Sequence, residues 1–230
     1  MSYGATFPGK LTAVKLRRKT AWIAGYGVRP WVKVSPMRHD TFEAWGEQLP
    51  YFVHPYNSTW RNERCIEVAL ARSFLQKHSG AGMEFGNVLG HYGKPAAEVV
   101  VDKYELDAGV LQVDIMDYQP SQPLDYIVGL STIEHVGWDE PVKDPKKVNK
   151  AFARLRSMLA PDGVMLLTAP LGYNPALDTA VTSGAWETIR QACYLKVGHR
   201  WYPQSEIRVI PFGERDIWPK SIWVAEIGAH

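Results

Sequence analysis

The sequence predicts an α/β protein: a mostly parallel, Rossmann-like sheet flanked by helices and preceded by an N-terminal lid segment. Three observations predict it. Strand and helix signals alternate from Gly82 onward, the pattern of parallel strands joined by crossovers. A short apolar segment ends in Glu84 and runs into a glycine turn, Gly86-Asn87-Val88-Leu89-Gly90, as a strand must if its carboxyl end is to meet a ligand. A helix with an apolar stripe then leads through Ala160-Pro161-Asp162-Gly163 into a further apolar strand.

The chain has 230 residues, 46% hydrophobic and 22% charged, with a net charge of +2. That length can bury a sizeable core in one unit, and the composition is that of a folded protein. The expected division is an extension and lid helix over 1–80 and an α/β domain over 81–230. The small net charge gives no global reason to expect nucleic acid or a membrane surface as partner. Cys65 and Cys193 are too few for a disulfide framework and fit a reducing, cytoplasmic compartment. No apolar run approaches the ~18 residues that span a bilayer. Nothing in the pattern calls for a metal.

Residues 1–55 are rich in Gly, Pro and Trp and lack a sustained period. Lys15, Arg17, Arg18 and Lys19 form a small basic run, read as a solvated face or a phosphate contact. Asn57, Ser58 and Thr59 offer caps for a helix from about Trp60 to Lys77, with Ile66, Ala69, Leu70 and Phe74 on one side. Met83 and Phe85 lie in the first strand. The second is read at Glu98 to Asp102, the third at Val110 to Asp114 and the fourth at Tyr126 to Leu130. Asp144 and Pro145 mark the next helix as N-cap and first position. Val148, Ala151, Phe152, Leu155, Met158 and Leu159 form its stripe, and the fifth strand follows at Val164 to Thr168. A helix is expected over about Ala185 to Val197, and late strands over Ile207 to Phe212 and Ser221 to Ile227. Asn87 to Ala97 is close to the ~10–12 residue minimum for a crossover, and the link from Asp102 to Val110 is equally short. The site at the strand ends therefore needs a cover, and the segment from Asn57 to Glu67 is the candidate.

The motifs, taken in order, resemble those of class I S-adenosylmethionine-dependent methyltransferases. Glu84, Gly86 and Gly90 resemble the first motif, Asp/Glu-x-Gly-x-Gly-x-Gly, with Val88 in place of the middle glycine. Asp102, closing Val-Val-Val-Asp, matches the acidic residue that accepts the ribose hydroxyls. Asp114 matches the residue that holds the adenine amino group, with Asp117 as a nearby alternative. Asp125 to His135 resembles the fourth motif, whose end faces the transferred methyl, and Leu159 to Pro170 the helix-turn-strand near the fifth strand. A weaker similarity to divergent bacterial methyltransferase-like sequences associated with glycan synthesis lies in Tyr56-Asn-Ser-Thr-Trp-Arg-Asn-Glu-Arg64 and Gly86-Asn-Val-Leu.

The resemblance implies a seven-stranded sheet with one late antiparallel strand, and S-adenosylmethionine as cofactor. Glu84, Gly86, Asn87, Gly90, Asp102, Asp114, Ile115 and Ser131 would then hold the cofactor. His135, with an unperturbed pKa near ~6.5, is the candidate base; it could instead order its loop or stack on Trp138. His91, Glu134, Trp138, Tyr173 and Asn174 are the candidate substrate residues. Glu84 has a second reading, a buried carboxylate paired with Arg64, and Asp102 another, a turn cap. The implied activity is methyl transfer to a small molecule or sugar, at oxygen, with in-line positioning as the main effect. The alternatives are a non-catalytic scaffold, a nucleic-acid methyltransferase, or an NAD(P)-dependent oxidoreductase, whose G-x-G-x-x-G fingerprint the chain lacks.

Overall fold

A computed structural model describes residues 36–213 and 218–229. The basic run at Lys15 to Lys19 and the rest of residues 1–35 lie outside the described residues. The described chain begins with a 3-10 turn, Pro36–His39, and a hairpin of β1 (Thr41–Ala44) and β2 (Glu47–Pro50), then α1 (Arg64–Lys77). There follow β3 (Gly82–Phe85), β4 (Val99–Asp102), β5 (Val110–Gln112), β6 (Leu124–Leu130), α2 (Lys147–Ser157) and β7 (Leu159–Pro170). The chain closes with α3 (Pro175–Thr182), β8 (Arg190–Val197), β9 (Arg200–Gln204) and β10 (Ser221–Gly228).

The main sheet has the order β5-β4-β3-β6-β7-β10-β8-β9. The neighbours from β5 to β7 are parallel, β10 is antiparallel to β7 and β8, and β9 is antiparallel to β8. The order reverses beside β3, where neighbouring crossovers leave in opposite directions and open a crevice at the carboxyl edge. The sheet carries one strand more than the seven expected, because β8 turns back through Gly198 and His199 into β9. Gly198, at φ +62°, suits the first position of a two-residue hairpin turn.

Side chains alternate across the sheet with period two. Ile127, Met165, Leu167, Ala169, Trp223 and Ala225 face one core, which α2 and α3 cover. Val128, Leu130, Leu166, Ile222 and Val224 face the other, shared with α1 and with Met37, Phe42, Ala44 and Tyr51 of the hairpin region. Each face thus removes an apolar layer from water, and the N-terminal segment contributes to the second.

Four readings are corrected. The helix expected from Trp60 splits into a 3-10 stretch, Tyr56–Arg61, and α1; Asn57 and Ser58 take positive φ and cap nothing. Asp144 does not cap α2 directly but accepts from the Lys146 amide one turn earlier, where Lys146 is the N-cap residue. The segment expected as a helix to Val197 is strand β8, because it fills the place between β10 and β9; two-sided pairing outweighs the helix propensity of Leu, Gln and Lys. The helix that precedes it, α3, has its own sequence signals: Asn174 as N-cap, Pro175 at the first position and Gly184 beyond the end. Ile207 to Phe212 is not a strand, since both edges of β10 are already taken. It docks instead through Arg208, whose amide donates to Cys193 Sγ and whose carbonyl accepts from Ser221 Oγ.

Candidate active site

The parallel register brings the ends of β3, β4, β5, β6 and β7 to one edge, and the candidate residues follow these ends. Glu84 organises the first of them. It is 1% exposed; Oε1 accepts from the amides of Val88 (2.8 Å) and Leu89 (2.7 Å), and Oε2 from that of Ala96 (2.6 Å). Burial pushes its carboxyl up from the ordinary range, against the three amides that favour the charge. Arg64 pairs with Glu67 rather than with Glu84. Glu84 thus fixes the shape of the glycine turn from beneath.

Gly86 must be glycine on two counts. Its φ is +84°, and a Cβ there would lie 2.2 Å from Thr132 Oγ1. At Gly90 a Cβ would meet Asn87 Oδ1 at 2.3 Å. Val88, by contrast, has ordinary right-handed helical angles, so the missing middle glycine costs the turn nothing. A 3-10 turn, Leu89–Tyr92, replaces a crossover helix. The N-terminal segment packs over it: Tyr56 stacks on His91 at 5.2 Å, and Tyr92 is surrounded by Phe52, His54 and Tyr56 at 5.3–5.5 Å. His91 Nε2 also lies 3.9 Å from Glu105 Oε2.

Asp102 ends β4. Its Oδ1 accepts from the amides of Tyr104 (2.7 Å) and Glu105 (2.8 Å), which is the turn-capping reading. Those bonds also aim the carboxylate, leaving Oδ2 for a hydroxyl donor. Asp114 Oδ1 accepts from the Met116 amide, while Oδ2 meets Lys103 (2.9 Å) and Lys147 (2.6 Å). The same lysines reach Glu140 at 3.0 and 2.6 Å, so two cations and two anions close a ring. Burial opposes the Asp114 charge, but Lys147, Lys103 and the Met116 amide hold its pKa down to about 2. Ile115 is 3% exposed within the core.

The ends of β6 and β7 are joined through α1. Glu67 is fully buried; Oε1 accepts from Ser131 Oγ and Thr168 Oγ1, both at 2.5 Å, and Oε2 from Arg64 Nη1 at 2.5 Å. Arg64 Nη1 also donates to the Leu130 carbonyl. Ser131 adopts φ +41°, a left-handed conformation enforced by bonds from its amide to the Thr168 carbonyl and hydroxyl. Ser131 is therefore bound into this network in the present arrangement.

Beyond β6 lies a second group of polar side chains. His135 is half-exposed, with Nδ1 2.7 Å from Asp139 Oδ2 and Nε2 3.4 Å from Glu134 Oε1. Tyr173 Oη donates to Asp139 Oδ1 (2.7 Å) and Oδ2 (2.8 Å), and its ring meets that of His135 edge-on at 5.2 Å. Burial alone would lower the His135 pKa, but Glu134 and Asp139 raise it above the ordinary value. Glu134 is 1% exposed, burial pushes its carboxyl up to about 7, and its Oε2 has no hydrogen-bond partner among the described residues. Asn174 is 1% exposed and structural: Oδ1 caps α3 and Nδ2 donates to the Glu134 carbonyl. Trp138 carries Lys143 over its ring at 3.5 Å and does not stack on His135. Trp186 and Trp201 are core residues, as their burial shows.

Sequence reasoning missed Arg64 and Glu67 as partners of the strand ends, and Lys103, Asp139, Glu140 and Lys147 altogether. The single readable signal was the acidic pair Asp139-Glu140, shortly after His135 in sequence.

Neither a protein-family model nor a curated protein sequence matches the chain. Among solved structures, the N-methyltransferase NodS from Bradyrhizobium japonicum, bound to S-adenosyl-L-homocysteine, is 13% identical with a TM-score of 0.48, over 71% of this chain and 85% of that one. An S-adenosylmethionine-dependent methyltransferase from Thermotoga maritima is 16% identical with a TM-score of 0.41, over 71% and 91%. The glycopeptide N-methyltransferase MtfA, bound to S-adenosyl-L-homocysteine, is 13% identical with a TM-score of 0.36, over 69% and 86%. Within the chain itself, the strand order, the antiparallel β10 between β7 and β8, and the glycine turn after β3 compose a Rossmann-like fold.

Proposed function

We propose that the protein is an S-adenosylmethionine-dependent methyltransferase that acts on an oxygen of a small molecule or sugar. The observation that carries this reading is one shared edge. It holds a glycine turn with no room for a Cβ at Gly86, a carboxylate at the end of β4, and an ionisable pair, Glu134 and His135, beyond β6. The groups present fit such a cofactor. Gly86 and Gly90 would let backbone approach it closely, and Asp102 Oδ2 would accept from ribose hydroxyls. Arg64, 15% exposed in its side chain, offers a cation to a carboxylate. Bound there, the sulfonium cofactor supplies an already activated methyl group.

The remaining chemistry belongs to the chain. His135 Nε2 takes the acceptor hydroxyl's proton, and the buried Glu134 Oε2 accepts a second donor from the substrate. Residues 51–62, which cover the glycine turn, act as the lid over a site that short crossovers leave open. The small-molecule or glycan class and a cytoplasmic location rest on the near-neutral charge, the cysteine usage and the sequence resemblance.

A non-catalytic scaffold is the second reading. It is favoured by Asp114, whose two oxygens are already bound by Lys103, Lys147 and the Met116 amide. Thermal unfolding with S-adenosylhomocysteine separates the two. At 100-fold excess over its dissociation constant the ligand stabilises the native state by about 2.7 kcal/mol. The methyltransferase reading expects a rise in Tm that Asp102→Ala removes. An unshifted wild type, beside NAD and NADP controls, would instead support the scaffold.

A further inference from the structure

We propose that Asp139 is the positioning residue for His135: it fixes the imidazole in the tautomer that leaves Nε2 unprotonated, and Tyr173 holds Asp139 in place. This rests on the methyl-transfer reading and adds to it which nitrogen acts and what orients it.

His135 has two ring nitrogens, and only one without a proton can take one. Which nitrogen that is depends on the bond made by the other. Asp139 Oδ2 lies 2.7 Å from Nδ1, and an ionised carboxylate only accepts, so Nδ1 carries the hydrogen and Nε2 bears the lone pair. Nε2 then faces Glu134, 3.4 Å from its Oε1. Asp139 is held from a different element. Tyr173, in the loop after β7, donates its hydroxyl to both carboxylate oxygens. Burial and the Asp139 charge raise the Tyr173 pKa, which keeps it a donor. The bond from His135 leads the influences that lower the Asp139 pKa, and burial opposes it less strongly. Asp139 and His135 are also four residues apart in one loop, joined by a bond from the Asp139 amide to the His135 carbonyl.

The charged and titratable groups that act on His135 are Asp139 and Glu134 from its own loop, Tyr173 from the β7–α3 loop beside it, and Arg64 from α1. The two carboxylates favour the imidazolium once Nε2 has taken a proton, while Arg64 opposes it. Proton uptake at Nε2 is therefore stabilised by the residue that sets the tautomer.

The test is nitrogen-15 and proton NMR of histidine-labelled protein across pH, with wild type, D139N, D139E and Y173F. D139N keeps size and polarity but turns a donor toward Nδ1. The expected result is a His135 resonance with Nδ1 protonated in wild type, a switch to the Nε2-protonated tautomer in D139N, and a return to the wild-type tautomer in D139E. The His135 pKa should fall in D139N, where the carboxylate charge is gone. It should rise in Y173F, where Asp139 loses a donor. An unchanged tautomer and pKa in D139N would overturn the proposal. Calorimetry with S-adenosylhomocysteine keeps the two ideas apart: D139N should bind it within about threefold of wild type. A wild type that fails to bind while the tautomer still switches would remove the methyl-transfer reading and leave the orienting pair intact.

Discussion

Replacing Glu84 with Gln changes only the charge and one donor–acceptor end of a buried side chain, yet it should cost the protein much of its stability. The carboxylate accepts three backbone amides. A glutamine carbonyl can keep Val88 and Leu89, but its NH2 group then faces the Ala96 amide, donor against donor. One charge-assisted bond is lost, about 1.5–3 kcal/mol, and a buried N–H is left unsatisfied, about 1–3 kcal/mol more. Since some relaxation recovers part of this, the expected loss is about 3–5 kcal/mol. For a chain of this length each kcal/mol moves Tm by about 2–4 °C, which places the melting temperature roughly 6–20 °C lower. Guanidinium and thermal unfolding measure the loss, and hydrogen exchange locates it at Val88, Leu89 and Ala96. A loss below about 1 kcal/mol with those amides still protected would refute the idea that Glu84 builds the turn. On the methyltransferase reading proposed above, affinity for S-adenosylhomocysteine should fall with it.

Gly86→Ala should destabilise by about 1–3 kcal/mol, because it combines positive φ with a Cβ placed 2.2 Å from Thr132 Oγ1; equilibrium unfolding measures this. Asp102→Asn should weaken S-adenosylhomocysteine by about 10²–10⁴-fold in calorimetry, the equivalent of two charged hydrogen bonds of about 1.5–3 kcal/mol each. Asp114, held down to about 2, contributes stability that is fully present above its unfolded pKa and is lost as pH falls from about 5 toward 2. That contribution is roughly 2 kcal/mol before solvent screening, and unfolding curves of Asp114→Asn over this range should be correspondingly flatter with pH.

The fold was legible where one physical rule acted alone. Val148, Ala151, Phe152 and Leu155 repeat at helical spacing, and all four are buried in α2. The apolar runs that end at Asp102 and Leu130 could be little else than buried parallel strands, and they are β4 and β6. Reading failed where partners distant in sequence decide. Residues 190–197 are a strand because β10 and β9 lie on either side, and nothing local announces that. Pro145 marked the region of α2 correctly, but a turn closed by Asp144 was needed before the helix could start.

The site divides in the same way. The glycine turn, and the place of Asp102 at the end of β4, were legible because backbone geometry and position along the chain announce them. Glu67 was not, since its role arises only when α1 is laid across Ser131 and Thr168. Lys103 and Lys147 were equally hidden, being ordinary surface lysines until the sheet order places them on one carboxylate. Asp139 stood next to residues already singled out, but its meaning depends on Tyr173, 34 positions later.

The most direct test is a crystal structure of the protein grown with S-adenosylhomocysteine. The account predicts the ribose hydroxyls on Asp102, the amino-acid end toward Arg64, and the Gly86 turn against the ligand. It also predicts a rearranged Lys103–Asp114–Lys147–Glu140 ring where the adenine arrives. A ligand bound elsewhere, or a carboxyl edge left vacant at saturating concentration, would contradict it.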